Sequence, residues 1–335
     1  MKFFSKKLAV LSAIFILGFN PIVVKAETDF FPDATSTEAV VVSSTTTLDS
    51  PIETAPPARV LIPEPTIRVG LYKTNEAVQF KSSFIYQIWS GGVLRALVSP
   101  EEVVEISYHK GLYGIKSDSL EFGSGDYIRL VPQDPASFFT LVNYRRPVKG
   151  RGKSNFNVYR GILEYRYSPK SKLPYIINEL SLDFYTAGVA ETHNSAPKEY
   201  IKALAVAARS YAYAHIGKTS PTEKRLFDVY PTTVDQIYLG YNSELFSPLL
   251  AQAAQDTKGE MVTYNGKPVI TFYFSHSNGK TSSWKGKDRP WLTVVIAKYD
   301  QGKKMLGHGL GMSNYDAQQR AAKDDWDYEQ ILQHY

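Results

Sequence analysis

The chain has 335 residues, 43% of them hydrophobic and 13% aromatic, enough for a sizeable core, and it has no cysteine. That lack excludes disulfides and thiol chemistry, so any fold rests on apolar packing. The 38 basic and 33 acidic residues give a net charge of +5, but without Lys2, Lys6, Lys7 and Lys25 the count is 34 to 33; a near-neutral chain of this kind lacks the basic surplus of a nucleic-acid binder.

Those four lysines belong to a targeting segment. Lys2, Lys6 and Lys7 form a positive start, residues 8–19 an apolar core, and Val24-Lys25-Ala26 a small-residue cleavage pattern. The pattern predicts a signal peptide over 1–26, a mature chain starting at Glu27, and work done outside the cytosol: extracellular, in the cell wall or in the periplasm. The apolar run is shorter than the ~20 residues of a bilayer-spanning helix, and Asn20-Pro21 interrupts it, so no membrane span is expected after cleavage. Residues 27–65 turn to Thr, Ser, Ala, Val and Pro, as in Ser43-Ser44-Thr45-Thr46-Thr47, and read as a flexible linker. Two readings stand for it: a spacer that holds a globular part off a membrane or wall, or a disordered remnant.

From 66 to 185 short aromatic and β-branched runs (67–72, 84–89, 127–131, 156–167 and 173–184) are broken by Gly, Pro, Asn and Ser, which predicts a β-rich region. Arg145, Arg146, Lys149, Arg151 and Lys153 crowd a stretch between two runs and read as an ordinary solvated loop. Ser195-Ala196-Pro197 then offers a helix start, and Ile201, Leu204, Ala205, Ala208, Tyr211 and Ala212 recur at helical spacing through residue 215. Flanking alanines predict burial on most sides. A second helix is expected from Ser247-Pro248 to Gly259, then a hairpin of 260–264 and 267–274 around Asn265-Gly266. A helix over 315–323 and a short one ending at Tyr335 complete the chain. The fold class is α+β: a mixed β-rich domain over 66–335, β-rich to 185 and mixed from 186, with a buried central helix and additional short helices.

Common catalytic signatures are missing. There is no His-Glu-x-x-His and no Gly-x-Ser-x-Gly, which removes support for a zinc protease and lowers that for an α/β-hydrolase. What remains are polar residues at element ends: Glu191 ahead of the buried helix, Ser275-His276-Ser277-Asn278-Gly279-Lys280-Thr281 after the hairpin, and the turn Gly307-His308-Gly309-Leu310-Gly311. Locally, Glu191 reads as a charge that compensates the helix dipole rather than as a catalyst, and His276 and His308 read as structural residues.

Taken in order, these segments resemble the stage II sporulation protein D (SpoIID) and amidase-enhancer (LytB-like) family over about 66–335. The matching stretches include Ile67-Arg68-Val69-Gly70-Leu71, Tyr185-Thr186-Ala187-Gly188-Val189 with Glu191, Ala205-Val206-Ala207-Ala208-Arg209-Ser210-Tyr211, and Gln236-Ile237-Tyr238-Leu239-Gly240. Phe272-Tyr273-Phe274-Ser275-His276-Ser277 and Gly307-His308-Gly309-Leu310-Gly311-Met312-Ser313 continue the series.

The resemblance implies an exported peptidoglycan-active protein, a lytic transglycosylase on peptide-free glycan strands with Glu191 as the sole acid and base, needing no cofactor. For that role Glu191 requires a pKa raised by burial, with Tyr185, Tyr211 and Tyr238 as expected walls. Arg209, Ser210, Tyr211, Gln236, Tyr238, Ser275, His276, Ser277, Thr281, His308 and Ser313 match motif positions and are expected to bind substrate. Leu204, Asn278, Lys280, Asn314 and Asp316 depart from the family pattern. Some relatives hold zinc near the positions of Val229, Val234 and Asp235, where valines offer no ligand, so no metal is expected. A second reading makes the chain a non-catalytic wall-binding module that stimulates a cell-wall amidase.

Overall fold

Period-two burial organises the first part of the chain, as in Val78–Ser82 and Tyr86–Ser90, where buried and half-buried residues alternate without a break. The computed structural model describes residues 64–218 and 225–335, so the signal peptide and nearly all of the linker lie outside the described residues. In chain order the strands are β1 (Thr66–Lys73), β2 (Val78–Ser82), β3 (Tyr86–Ser90), β4 (Val93–Val98), β5 (Val104–His109) and β6 (Leu112–Lys116). There follow β7 (Glu121–Ser124), β8 (Ile128–Pro132), β9 (Phe138–Leu141), β10 (Val158–Arg160), β11 (Ile162–Ser168) and β12 (Leu173–Ser181). They form two six-stranded antiparallel sheets, ordered β1-β12-β11-β8-β3-β4 and β10-β9-β2-β5-β6-β7. Inward residues of both sheets, among them Val69, Phe80, Ile106, Phe139, Tyr165 and Ile176, share one core.

Gly161 explains how a single aromatic run serves both sheets. Its φ of +76° turns the chain between β10 and β11, and a Cβ there would sit 2.5 Å from the carbonyl oxygen of Glu179. The run expected over 156–167 is therefore two strands in different sheets. Beyond the core, the fully buried Glu164 carboxylate is gripped by Arg68 and Arg129, and Arg129 also forks onto Glu179 at 3.0 and 3.2 Å.

The helices α1 (Leu182–Gly188), α2 (Lys198–Tyr213), α3 (Tyr241–Phe246) and α4 (Pro248–Asp256) follow, then α5 (Asn314–Lys323) and α6 (Tyr328–His334). The central helix is α2. Eleven of its sixteen residues are buried: Ala208 and Ala212 reach the sheet core, while Tyr200, Ile201, Leu204 and Ala205 pack into a second core with Leu250, Met312, Ala317 and Ile331. Among the described residues no helix is long and apolar enough to cross a membrane.

Four local expectations change. Residues 182–188 form a helix rather than the end of a strand: Ser181 caps it by accepting from the Phe184 N–H at 3.3 Å, and Asp183 sits in its first turn. The start of α2 is capped by Pro197 without a side-chain bond, not by Ser195. Helix α3 was not signalled. Finally, Asn265 and Gly266 do take the paired positive φ values of the turn, 50° and 72°, but the hairpin ladder extends only over Thr263–Tyr264 and Lys267–Pro268. Past these pairs one more backbone bond joins the two segments, from the Val269 N–H to the Val262 carbonyl at 3.1 Å. The next strand, Tyr273–Phe274, pairs instead in parallel with Met312–Ser313.

Candidate active site around Glu191

Glu191 is positioned by two strand-like segments that meet at the end of α1. After Gly188 the backbone runs beside residues 237–239, with Ala190 N–H to the Ile237 carbonyl at 2.7 Å and Leu239 N–H to the Gly188 carbonyl at 2.9 Å. The next peptide places Glu191 Oε1 2.7 Å from the Ile237 N–H. Among the described residues none donates to Oε2. Burial raises the pKa of the carboxyl above its ordinary value, opposed by the Ile237 hydrogen bond and by the charge of Arg151.

Arg151 belongs to the basic stretch expected to be an ordinary solvated loop, and the structure corrects that reading. Its guanidinium donates to the carbonyl oxygens of Ala190 and Thr192 at 2.9 and 3.3 Å, on either side of Glu191, and its Cζ lies 5.4 Å from the centre of the Phe246 ring. Arg146 likewise reaches the Pro231 carbonyl at 2.8 Å. The sequence shows the charges but not the carbonyls that hold them.

Of the expected walls, Tyr185 is present and Tyr273 and Tyr200 join it. Burial holds the phenol of Tyr273 well above its usual pKa, with the Glu191 charge as the next cause, and the same charge acts more weakly on Tyr185 and Tyr200. Gln236 connects two of these rings: it accepts from the Tyr185 hydroxyl at 2.9 Å and donates to the Tyr273 hydroxyl at 2.8 Å. Tyr238 stacks on Tyr185 at 5.0 Å but sends its hydroxyl to Asn178, and Tyr211 donates to Asp235 at 2.9 Å. Neither forms the Glu191 wall.

The remaining expected residues divide by what already engages them. Arg209 is 1% exposed and donates to Asp183, Thr257 and the carbonyls of Ala254 and Glu260, which fastens α2 to α1 and α4. Ser210 bonds to Val206 and Val262 within the same region. Thr281 accepts from the Val295 N–H and donates to the Thr293 carbonyl, closing its own loop. Ser277 and Ser313 both donate to Oδ2 of the buried Asp300, at 2.8 and 2.6 Å, so a lone aspartate that carried no signal in the sequence ties the two loops together. Ser275, His276 and His308 keep side chains at least partly open. His308 lies between Phe272 and Phe274, at 5.8 and 5.6 Å, where burial lowers its pKa and so favours the neutral ring. Tyr273, between those two phenylalanines, points the other way to Gln236, so His308 and Glu191 lie on opposite sides of one strand.

The departures from the family pattern have structural uses. Leu204 fills the second core, and the buried Asp316 accepts from Arg320 and the Tyr335 hydroxyl, each at 2.6 Å. The zinc position does not fit a metal. Val229 is in the core, Asp235 is occupied by Tyr211 and by the Tyr230 N–H at 2.8 Å, and among the described residues no three His, Cys, Asp or Glu side chains gather. Two adjoining surface recesses of about 180 and 330 Å³ run along α1, α3 and α4 and contain none of these residues. Concavity and chemistry therefore mark different places, and the perturbed carboxyl is the better guide because proton transfer needs it.

The stage II sporulation protein family model matches residues 171–264, the span holding α1, Glu191, α2, Gln236 and α4. Over this stretch the chain is similar to the SpoIID family. An uncharacterized protein of Brachyspira hyodysenteriae is 37% identical over 128 residues, which cover 36% of this chain and 33% of that protein. The amidase enhancer of Bacillus subtilis is 30% identical over 115 residues, 34% of this chain and 15% of its own length. The SpoIID match includes Tyr185, Glu191, Tyr200, Gln236 and Ile237; Arg151, Tyr273 and the loops bearing His276 and His308 lie outside it.

Proposed function

We propose that this SpoIID-like chain is an exported cell-wall protein that cleaves peptide-free peptidoglycan glycan strands as a lytic transglycosylase, with Glu191 as its acid and base. The observation that carries this reading is the Glu191 carboxyl itself: its pKa raised by burial, its Oε1 held by the Ile237 N–H, and its Oε2 without a donor among the described residues. A carboxyl whose pKa burial raises holds its proton more readily and can deliver it to the bridging oxygen between N-acetylmuramic acid and N-acetylglucosamine. As the bond from C1 to that oxygen breaks, the 6-hydroxyl of the same muramic acid bonds to C1 and returns its proton to the Glu191 carboxylate. The products are a free 4-hydroxyl and a 1,6-anhydro end. No water is consumed, so the second carboxylate that hydrolases need is dispensable. Arg151 and the Ile237 N–H then stabilise the transient carboxylate.

The test incubates the protein and its Glu191→Gln variant with glycan strands stripped of peptide and looks for 1,6-anhydro ends by mass spectrometry. The protein should form them and the variant should not. A second reading draws on the relative named amidase enhancer: a module that binds the strands, makes no anhydro ends and accelerates a cell-wall amidase. Absence of anhydro ends together with such acceleration would replace the first reading with the second.

A further inference from the structure

The segment 281–295 forms a closed loop, with Thr281 N–H to the Val295 carbonyl and Trp284 N–H to the Leu292 carbonyl, each at 2.9 Å. Ser282 N–H to the Gly309 carbonyl at 2.7 Å docks it on the glycine-rich turn beside His308. The loop lays Trp284 nearly parallel to Phe272, with ring centres 6.4 Å apart and planes 10° off. The guanidinium of Arg289 lies 4.1 Å from the Trp284 ring centre and 5.3 Å from that of Phe272. A hydrogen bond from the indole N–H to Asp288 at 2.9 Å fixes the orientation of the tryptophan.

Arg289 is not committed to a buried partner. Its carboxylate neighbour is the adjacent Asp288, 3.5 Å away and 67% exposed, a pairing that water makes weak. Lys285 and Lys287 are exposed on the same loop. The result is an aromatic surface with a planar cation held against it, partly open to solvent. A sugar that carries a carboxylate suits both parts: its apolar C–H face packs on the rings, and its two oxygens match the guanidinium fork.

Glycan strands without stem peptides are such a ligand. Each muramic acid then ends its lactyl group in a free carboxylate, whereas a stem peptide converts that carboxyl into a neutral amide. We infer that Trp284, Phe272 and Arg289 form a subsite for the free lactyl carboxylate of muramic acid and so select stripped strands over peptide-bearing ones. This rests on the glycan-directed reading of Glu191. Phe272 directly precedes Tyr273, whose ring faces the Glu191 pocket from the other side, so the subsite takes a sugar other than the one being cleaved.

The full chain carrying Glu191→Gln, which removes cleavage as a complication, is assayed for binding to two strand preparations: free lactyl acids, and the same strands with the acids capped as methylamides. The chain should bind the free acids about tenfold more tightly, a difference of about 1.4 kcal/mol. Adding Arg289→Gln should erase that preference with the melting temperature unchanged, Arg289→Lys should restore part of it, and Trp284→Ala should weaken both preparations alike. Equal binding of the two preparations by the parent, or a preference that survives Arg289→Gln, overturns the inference. The parent protein's anhydro-end assay is read separately. Lactyl preference without anhydro ends sinks the catalytic reading alone, and anhydro ends without preference sink the subsite alone.

Discussion

At the scale of single residues, Glu191 combines a strained protonation state with a fixed position, and the two separate in experiment. Glu191→Gln keeps the Ile237 hydrogen bond but cannot deliver a proton, so anhydro-end formation should fall by at least the ~10²–10⁴-fold typical of a general acid, read from initial rates. The same variant should melt higher than the parent at pH 8. A carboxyl whose pKa is raised by folding favours the native state most when protonated, and that contribution is lost as pH rises through the native pKa. The stability gap between Glu191→Gln and parent should therefore widen with pH, reaching about 1 kcal/mol. Arg151 works through Glu191, whose carboxylate its charge favours. Arg151→Gln should move the alkaline limb of the pH–rate profile upward, a displacement that a merely structural loss would not produce. Glu191 was legible because it stands beside a family motif. Arg151 was not, because its partners are backbone carbonyls of residues forty positions away, and Tyr273 and Tyr200 were not, because aromatic residues in apolar runs look alike whether they face a core or a carboxyl.

At the scale of elements, the sequence signalled those with a strict period or a local punctuation mark. Helix α2 declared itself by its apolar spacing, and Asn265-Gly266 by the turn that only such residues take without strain. Strands β2, β4 to β7 and β9 were not among the signalled runs; on β4 the pattern itself fails, since Val93, Leu94 and Leu97 are all exposed. Helix α1 was hidden because Tyr185-Thr186-Ala187-Gly188-Val189 is equally apolar as strand or helix, and the Ser181 cap decided the matter. Gly161 is the sharpest test at this scale. Gly161→Ala forces a side chain into positive φ and against the Glu179 carbonyl, which should destabilise the fold by about 1–3 kcal/mol in urea titration, with β10 and β11 loosened first in hydrogen exchange.

At the scale of the whole molecule, stability depends on contacts between segments far apart in the chain. Glu164 receives Arg68 and Arg129 across three strands, so Glu164→Leu leaves the two guanidiniums with only Glu179 to share. Removing one side of a buried pair costs about 3–5 kcal/mol, and the lower end is expected here because both arginines are 27% exposed; the chemical-denaturation midpoint reads it. Export belongs to this scale too: N-terminal sequencing of the secreted chain should begin at Glu27, and retention of Met1 would indicate an uncleaved anchor. The sequence by itself determined the reliance on apolar packing, since no cysteine exists to staple it, the mixed α+β character and the identity of the catalytic candidate, because composition, periodicity and short motifs are local properties of the chain. Only the tertiary structure decided which sheet each strand joins, that Asp300 and Arg209 fasten loops and helices, and that Arg151 and Tyr273 stand by Glu191. Those outcomes depend on side chains dozens of residues apart meeting in a dry interior, where burial sets the pKa of Glu191 and leaves each polar group to find its partner.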